Sequence, residues 1–212
     1  MRITQIYEWL RIKKKQTGFT LVESLVAISI LSLSIAATFT AAQNGIKNST
    51  IAKDQTAAFY LAQEVMEYIK NVRDENALYS IVNPDTPRNW LFGIYPSGSP
   101  CEFGKVCQID VPLNVVRGCP TIGAASTGVA ITNDPPYLCD NLRQDTVTGI
   151  FGYTATWPVS RFKREVQIRT IANIEADTEV EVVISVSWTG SAGTRFFQAS
   201  ETLFNRQRPT TE

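Results

Sequence analysis

Residues 13–46 read KKKQTGFTLVESLVAISILSLSIAATFTAAQNGI. Three lysines lead into an apolar stretch, and about 20 apolar residues suffice to span the hydrocarbon of a bilayer. Between Ser24 and Ile46 there are 23 residues without a full charge, and from Phe19 onward only Glu23 interrupts the run. A carboxylate at the centre of a membrane helix costs about 2.5–3.5 kcal/mol, less near the interface. The sequence retains Glu23 against that cost, so the residue has a use. Residues 1–18 hold Arg2, Arg11, Lys13, Lys14 and Lys15 against one acid, Glu8. Basic residues ahead of an apolar span keep that end in the cytoplasm, which sends the remainder of the chain outside.

A secretory signal peptide also begins with basic residues and an apolar core, with small residues such as Ala36, Ala37, Ala41 and Ala42 near a cut. Signal cores are shorter, however, and here no break follows the run. Residues 47–76 contain neither glycine nor proline, and Ala58, Ala62, Val65, Ile69 and Val72 recur at helical spacing. Gly45 is a soft spot, costing about 1 kcal/mol relative to alanine. The spacing predicts one helix over 19–76: 19–46 apolar on most sides, 47–76 amphipathic and requiring a domain against it.

The basic leader, then Gly18-Phe19-Thr20-Leu21-Val22-Glu23, then the apolar run resemble the processing signal of type IV prepilins and of type II secretion pseudopilins. The resemblance implies a leader, 1–18, removed by a prepilin peptidase between Gly18 and Phe19, followed by N-methylation of Phe19. It also implies a role for Glu23, pairing with the α-amine of a neighbouring subunit as helices stack into a filament. Physical chemistry makes the motif intelligible. Glycine permits close backbone approach in a protease cleft. A carboxylate in the first turns of a helix faces the positive end of its dipole, and a charge pair in a low-dielectric bundle is far better than either charge alone. The implied partners are the peptidase, other pilin or pseudopilin subunits, an inner-membrane assembly platform, and membrane lipid before assembly. The apolar segment lacks the proline common in major pilins, Ser24 stands where an apolar residue is commoner, and the leader is long. Cutting would leave 194 of 212 residues. These features favour a minor pilin of a type IV pilus or a minor pseudopilin.

Residues 77–149 read as loop-rich, with eight prolines from Pro84 to Pro136 and all four cysteines, Cys101, Cys107, Cys119 and Cys139. An even count in an outward-facing segment predicts two disulfides. Of three possible pairings the non-crossing one, Cys101–Cys107 with Cys119–Cys139, is the expectation; a four-thiolate zinc site is disfavoured because no C-x-x-C pair exists. Over 150–212 the period becomes two: Val180, Val182, Ile184, Val186 and Trp188 oppose Glu181, Ser185 and Ser187. Phe162, Val166 and Ile168 alternate with Lys163, Glu165, Gln167 and Arg169. With turns at 175–178 and 190–193, a strand near 194–204 and a further one at 153–157, the expected fold is α+β. A long N-terminal helix packs on a small C-terminal antiparallel sheet, with a disulfide-stapled loop region between them. Residues 205–212 are expected to fray.

Other chemistry is sparse. The chain has no histidine, which removes the usual general base and the usual zinc ligand. Beyond the leader, 15 basic residues face 19 acidic ones, giving no electrostatic reason to expect nucleic acid. Glu175, Asp177, Glu179 and Glu181 read as a solvated turn, and Asp134, Asp140 and Asp145 lack the spacing of a calcium loop. No phosphate loop or nucleophile elbow occurs, and no cofactor, metal or catalytic residue is expected. The stripe Phe59, Met66 and Arg73 suits helix packing or a subunit contact. The reading is an assembly subunit rather than an enzyme. Its rival is a secreted or anchored enzyme or binding module whose first 42 or so residues are an export signal.

Overall fold

A computed structural model describes residues 18–95, 99–102, 105–119, 139–171, 178–190 and 193–206. The chain divides into two compact units at Ser49/Thr50, and helix α1 (Leu21–Val82) contributes to both. α1 continues six residues beyond the expected end at Asn76. Residues 77–82 contain no helix breaker, and the helix stops where Pro84 restricts Asn83. The Asn83 N–H still donates to the Tyr79 carbonyl at 2.9 Å.

In the second unit, α1 buries Ala58, Leu61, Ala62, Val65, Met66 and Ile69. Their three- and four-residue spacing forms one apolar face. That face covers an antiparallel sheet of strands β1 (Val106–Asp110), β2 (Val115–Gly118), β3 (Asn141–Gln144), β4 (Phe151–Gly152), β5 (Val159–Thr170), β6 (Glu179–Gly190) and β7 (Gly193–Phe204). β7 pairs with β6 and β6 with β5. The other edge of β5 is shared: β3 pairs at Val159 and Lys163, β1 at Val166 and Gln167. β2 lies outside β1, and β4 outside β3.

The two long hairpins follow the expected period. Phe162 faces Trp188, Val166 faces Ile184 and Ile168 faces Val182, and all six are in the core under α1. Gly190 pairs with Gly193 at the closing end of β6–β7, where Gly193 takes φ 95°. Residues 191–192 and most of the expected turn at 175–178 lie outside the described residues, as do 207–212. Asn205 is tied down, its N–H donating to the Thr178 carbonyl at 2.8 Å.

Two expectations need correction. Residues 77–149 are not simply loop, since they contain the end of α1 and strands β1, β2 and β3. β1 is buried at every position, so it shows no polar alternation for a period-two reading to find. The strand expected at 153–157 is also absent: β4 ends at Gly152, and the Trp157 N–H closes a turn on the Thr154 carbonyl at 3.1 Å immediately before Pro158. The sheet face opposite α1 is buried in part as well. Val183, Ser185, Ser187, Glu165 and Gln167 are buried, and Cys119 and Cys139 cluster there with Val106 and Val183.

Both disulfides are the non-crossing pair, Cys101–Cys107 and Cys119–Cys139, with Cα separations of 5.2 and 4.5 Å. Cys101–Cys107 joins the start of β1 to the loop before it, and both its cysteines lie in the main core.

The core also contains a cation. Arg164 sits at a β5 position that alternation assigns to the helix face, and it is 0% exposed. Its Nη1 donates to Glu64 Oε2 at 2.6 Å and to the Leu61 carbonyl at 3.1 Å, while Nη2 donates to the Ile109 carbonyl at 2.8 Å. One side chain therefore ties α1, β5 and β1 together. The Glu64 side chain remains one-third exposed, so the two partners are unequal: Glu64 can be hydrated alone, but Arg164 cannot. Removing one member of a buried pair costs about 3–5 kcal/mol because the other charge is stranded. Glu64→Ala should therefore lose about 3 kcal/mol of stability in denaturant unfolding, and Arg164→Met should lose less. The reverse order would contradict the assignment of Arg164 as the stranded charge.

Asp74 bonds Arg73 Nε at 2.8 Å and lies 3.7 Å from Arg206. The Arg73 hydrogen bond, and secondarily the two positive charges, hold its carboxyl below the ordinary 3.8. A depressed carboxylate contributes stability above its unfolded value and loses it as pH falls through the folded one. Asp74→Asn should therefore flatten the acid limb of the stability–pH curve below about pH 4. An unchanged limb would show that these pairs contribute nothing.

Candidate functional site in the amino-terminal helix

α1 begins with a cap. Thr20 precedes the first helical residue, and its Oγ1 accepts the Glu23 N–H at 3.2 Å, while its carbonyl accepts the Ser24 N–H at 3.1 Å. Thr20 is the N-cap and Glu23 the third residue inside, the spacing of a capping box. The pattern was legible in Thr20-Leu21-Val22-Glu23, although the sequence reading used only its carboxylate. Glu23 consequently sits in the first turn, where uncapped N–H groups and the helix dipole favour negative charge. Among the described residues its side chain makes no hydrogen bond or ion pair.

Beyond the cap, the helix shows its apolar side chains on every side. Leu21, Val22, Leu25, Val26, Ile28, Ile30, Leu31, Leu33, Ile35 and Phe39 are each more than half exposed. Burying such a side chain is worth about 1.5–3 kcal/mol, so ten of them left in water would be a heavy cost. This helix is long and apolar enough to cross a membrane, and none of its most apolar window is buried.

Its hydroxyl groups suit that environment. Ser29, Ser34 and Thr40 donate to carbonyls four residues back at 2.8–2.9 Å, and Thr38 reaches both Ser34 and Ile35. Internal satisfaction of polar groups is the condition for entering hydrocarbon. This explains how a run so rich in serine and threonine can remain a membrane or bundle helix.

Gly18 and Phe19 lie just before the helix, both exposed. A Cβ built on Gly18 meets nothing within 4 Å, so the fold makes no steric demand for glycine there. The rest of the expected leader, 1–17, lies outside the described residues. Elsewhere, the stripe Phe59, Met66 and Arg73 divides. Met66 and Arg73 are buried in the second unit, whereas Phe59 is 49% exposed, edge-on to Phe197 at 5.8 Å. Tyr60 and Phe196 are exposed beside it.

Among the described residues no acidic, cysteine or histidine cluster could hold a metal ion. Asp145 is occupied by its own turn, accepting from the Val147 N–H at 3.0 Å and the Thr148 hydroxyl at 2.6 Å. Those bonds, the Thr148 hydroxyl first, hold its carboxyl below the ordinary value. Glu175, Asp177 and Asp134 lie outside the described residues.

Thr20→Ala should remove about 1 kcal/mol from the helix start. Amide exchange at Glu23 should accelerate several-fold in micelles; unchanged protection would show that the cap is not used.

The family model described as the prokaryotic N-terminal methylation motif matches residues 13–39. This interval contains Gly18, Phe19, Thr20 and Glu23. No curated protein and no solved structure matches the chain.

Proposed function

From a chain that carries the hallmark motif of type IV prepilin and pseudopilin-family proteins, we propose a minor pilin: a structural subunit of a type IV pilus that performs no reaction. The motif implies processing by prepilin peptidase and assembly with other pilin-like subunits. The single observation carrying the proposal is the capped, all-round apolar helix whose first-turn carboxylate has no partner among the described residues.

In this account the peptidase cuts between Gly18 and Phe19, and the new amino group of Phe19 is N-methylated. While the helix is alone in the bilayer, Glu23 stays at the interface. When helices stack, the amine of a neighbouring subunit meets Glu23 in a medium of low dielectric, where the pair attracts strongly and each isolated charge is costly. One axial stagger brings them together, so the carboxylate sets register as well as strength. The head, stapled by two disulfides, suits an oxidising compartment outside the cytoplasm, in keeping with the basic residues ahead of the helix. A pseudopilin of a secretion machine would use the same helix; the filament that co-purifies with the protein distinguishes them.

Glu23→Gln should leave trimming largely intact but reduce incorporation into filaments at least tenfold by immunoblot of sheared fibres. Normal incorporation would contradict the charge pair. Gly18→Val should accumulate the untrimmed form with an unchanged head, since the fold makes no demand at that position. Normal trimming would move the cut elsewhere.

A further inference from the structure

We propose that the head carries a binding site for a sugar acid, a monoanionic carboxylate flanked by hydroxyl groups, on the sheet face turned away from α1. Strand alternation puts it there. Cys107, Ile109 and Leu142 lie in the core under the helix, so Gln108 between the first two, and Asn141 and Arg143 on either side of the third, face the opposite way. Gln108 pairs in register with Arg117 of β2. These residues, with Asp140 and Tyr153, line a cavity of about 400 Å³, within the size range of small-molecule sites. It opens where β1 and β3 share the edge of β5.

The polar groups are placed and partly unused. Arg143 Nη1 donates to the carbonyls of Ala155 at 3.1 Å and Trp157 at 2.7 Å. This fixes the guanidinium while Nη2 and Nε have no partner among the described residues. A held guanidinium with free N–H groups is a fork for a carboxylate. Asn141 Nδ2 donates to the Ser160 carbonyl at 2.9 Å, leaving Oδ1 as an acceptor. Gln108 is only 5% exposed, and its Oε1 has no hydrogen-bond partner. Buried acceptors are rarely left so, because each costs about 1–3 kcal/mol; a bound hydroxyl would satisfy this one.

Charge selects among anions. Two guanidinium groups face Asp140 across the lining, while Asp110 accepts from the Tyr153 N–H and Glu165 from the Cys139 N–H, each at 3.2 Å, just behind it. The guanidinium fork takes one carboxylate, and further negative charge is repelled. A phosphate dianion would meet these carboxylates with more repulsion than a singly charged ligand does. Sugar hydroxyls supply donors for Asp140, Asn141 Oδ1 and Gln108, and Val159 and the Tyr153 ring offer apolar contact to the carbon face of a pyranose.

The test uses the full chain in detergent micelles, with D-galacturonate as probe and calorimetry or ligand-observed NMR as readout. Saturable binding in the millimolar range is expected, weakened at least tenfold by Arg117→Gln and by Arg143→Lys. The galacturonate methyl ester should also bind at least tenfold more weakly, and inorganic phosphate should not compete. Arg117 is exposed, so its variant should unfold at the wild-type midpoint and carries the test even if the Arg143 variant does not fold. Absence of saturable binding, equal affinity in Arg117→Gln, equal affinity for the ester, or displacement by equimolar phosphate would each overturn the proposal.

Discussion

An apolar helix surface without a cover of its own, broken by a single charge, is the constraint on which the rest depends. Residues 21–39 expose large apolar side chains around the whole circumference, and apolar surface on that scale marks a segment made to meet a membrane or other protein. The backbone is satisfied within the helix, most hydroxyls are satisfied by carbonyls a turn back, and the first turn is closed by Thr20. What has no partner among the described residues is the Glu23 carboxylate. A membrane accommodates the apolar surface but not the carboxylate, whereas a bundle of like helices, each bringing a new amino group, accommodates both. In the proposed function, bilayer and filament are successive solvents for one segment, and the charge favours the second.

The second unit meets a different demand. A three-strand meander of long strands with one helix is a thin core, and the chain reinforces it with two disulfides and a buried guanidinium. Arg164 bonds carbonyls on α1 and β1 and a carboxylate on α1. Its position fixes the helix on the sheet more specifically than apolar contact would, since only one placement satisfies those bonds. Close packing reaches the outer strands too. A Cβ on Gly152 would come to 3.0 Å from Asp110 Oδ1 and 3.1 Å from the Trp157 ring, so any larger residue there would require those side chains to give way by a few tenths of an ångström.

Much of this was legible in the sequence where a pattern had one cause. The lysines, Gly18-Phe19 and Glu23 stand in an otherwise uncharged run, and the period-two stretches in β5 and β6 announced a hairpin with one face under a helix. What escaped had two causes acting together. β1 is buried on both faces and contains a cysteine, a glutamine and an aspartate, so composition suggested loop while tertiary pairing made strand. Arg164 occupies a core position in a strand whose other core positions are apolar. A charge there reads as surface until Glu64, 100 residues away in sequence, is seen beside it. Likewise the polar cavity is assembled from β1, β2, β3 and the turn after β4, and no local spacing reports it.

The central claim is that the mature chain begins, just ahead of the helix, at a new amino group placed to meet a neighbouring Glu23. The most direct measurement is mass spectrometry of the amino-terminal peptide of protein recovered from its host. The account predicts a chain starting at Phe19 with one methyl group on its amine. A mature chain starting near Gln43, with the apolar run and Glu23 removed, would contradict it.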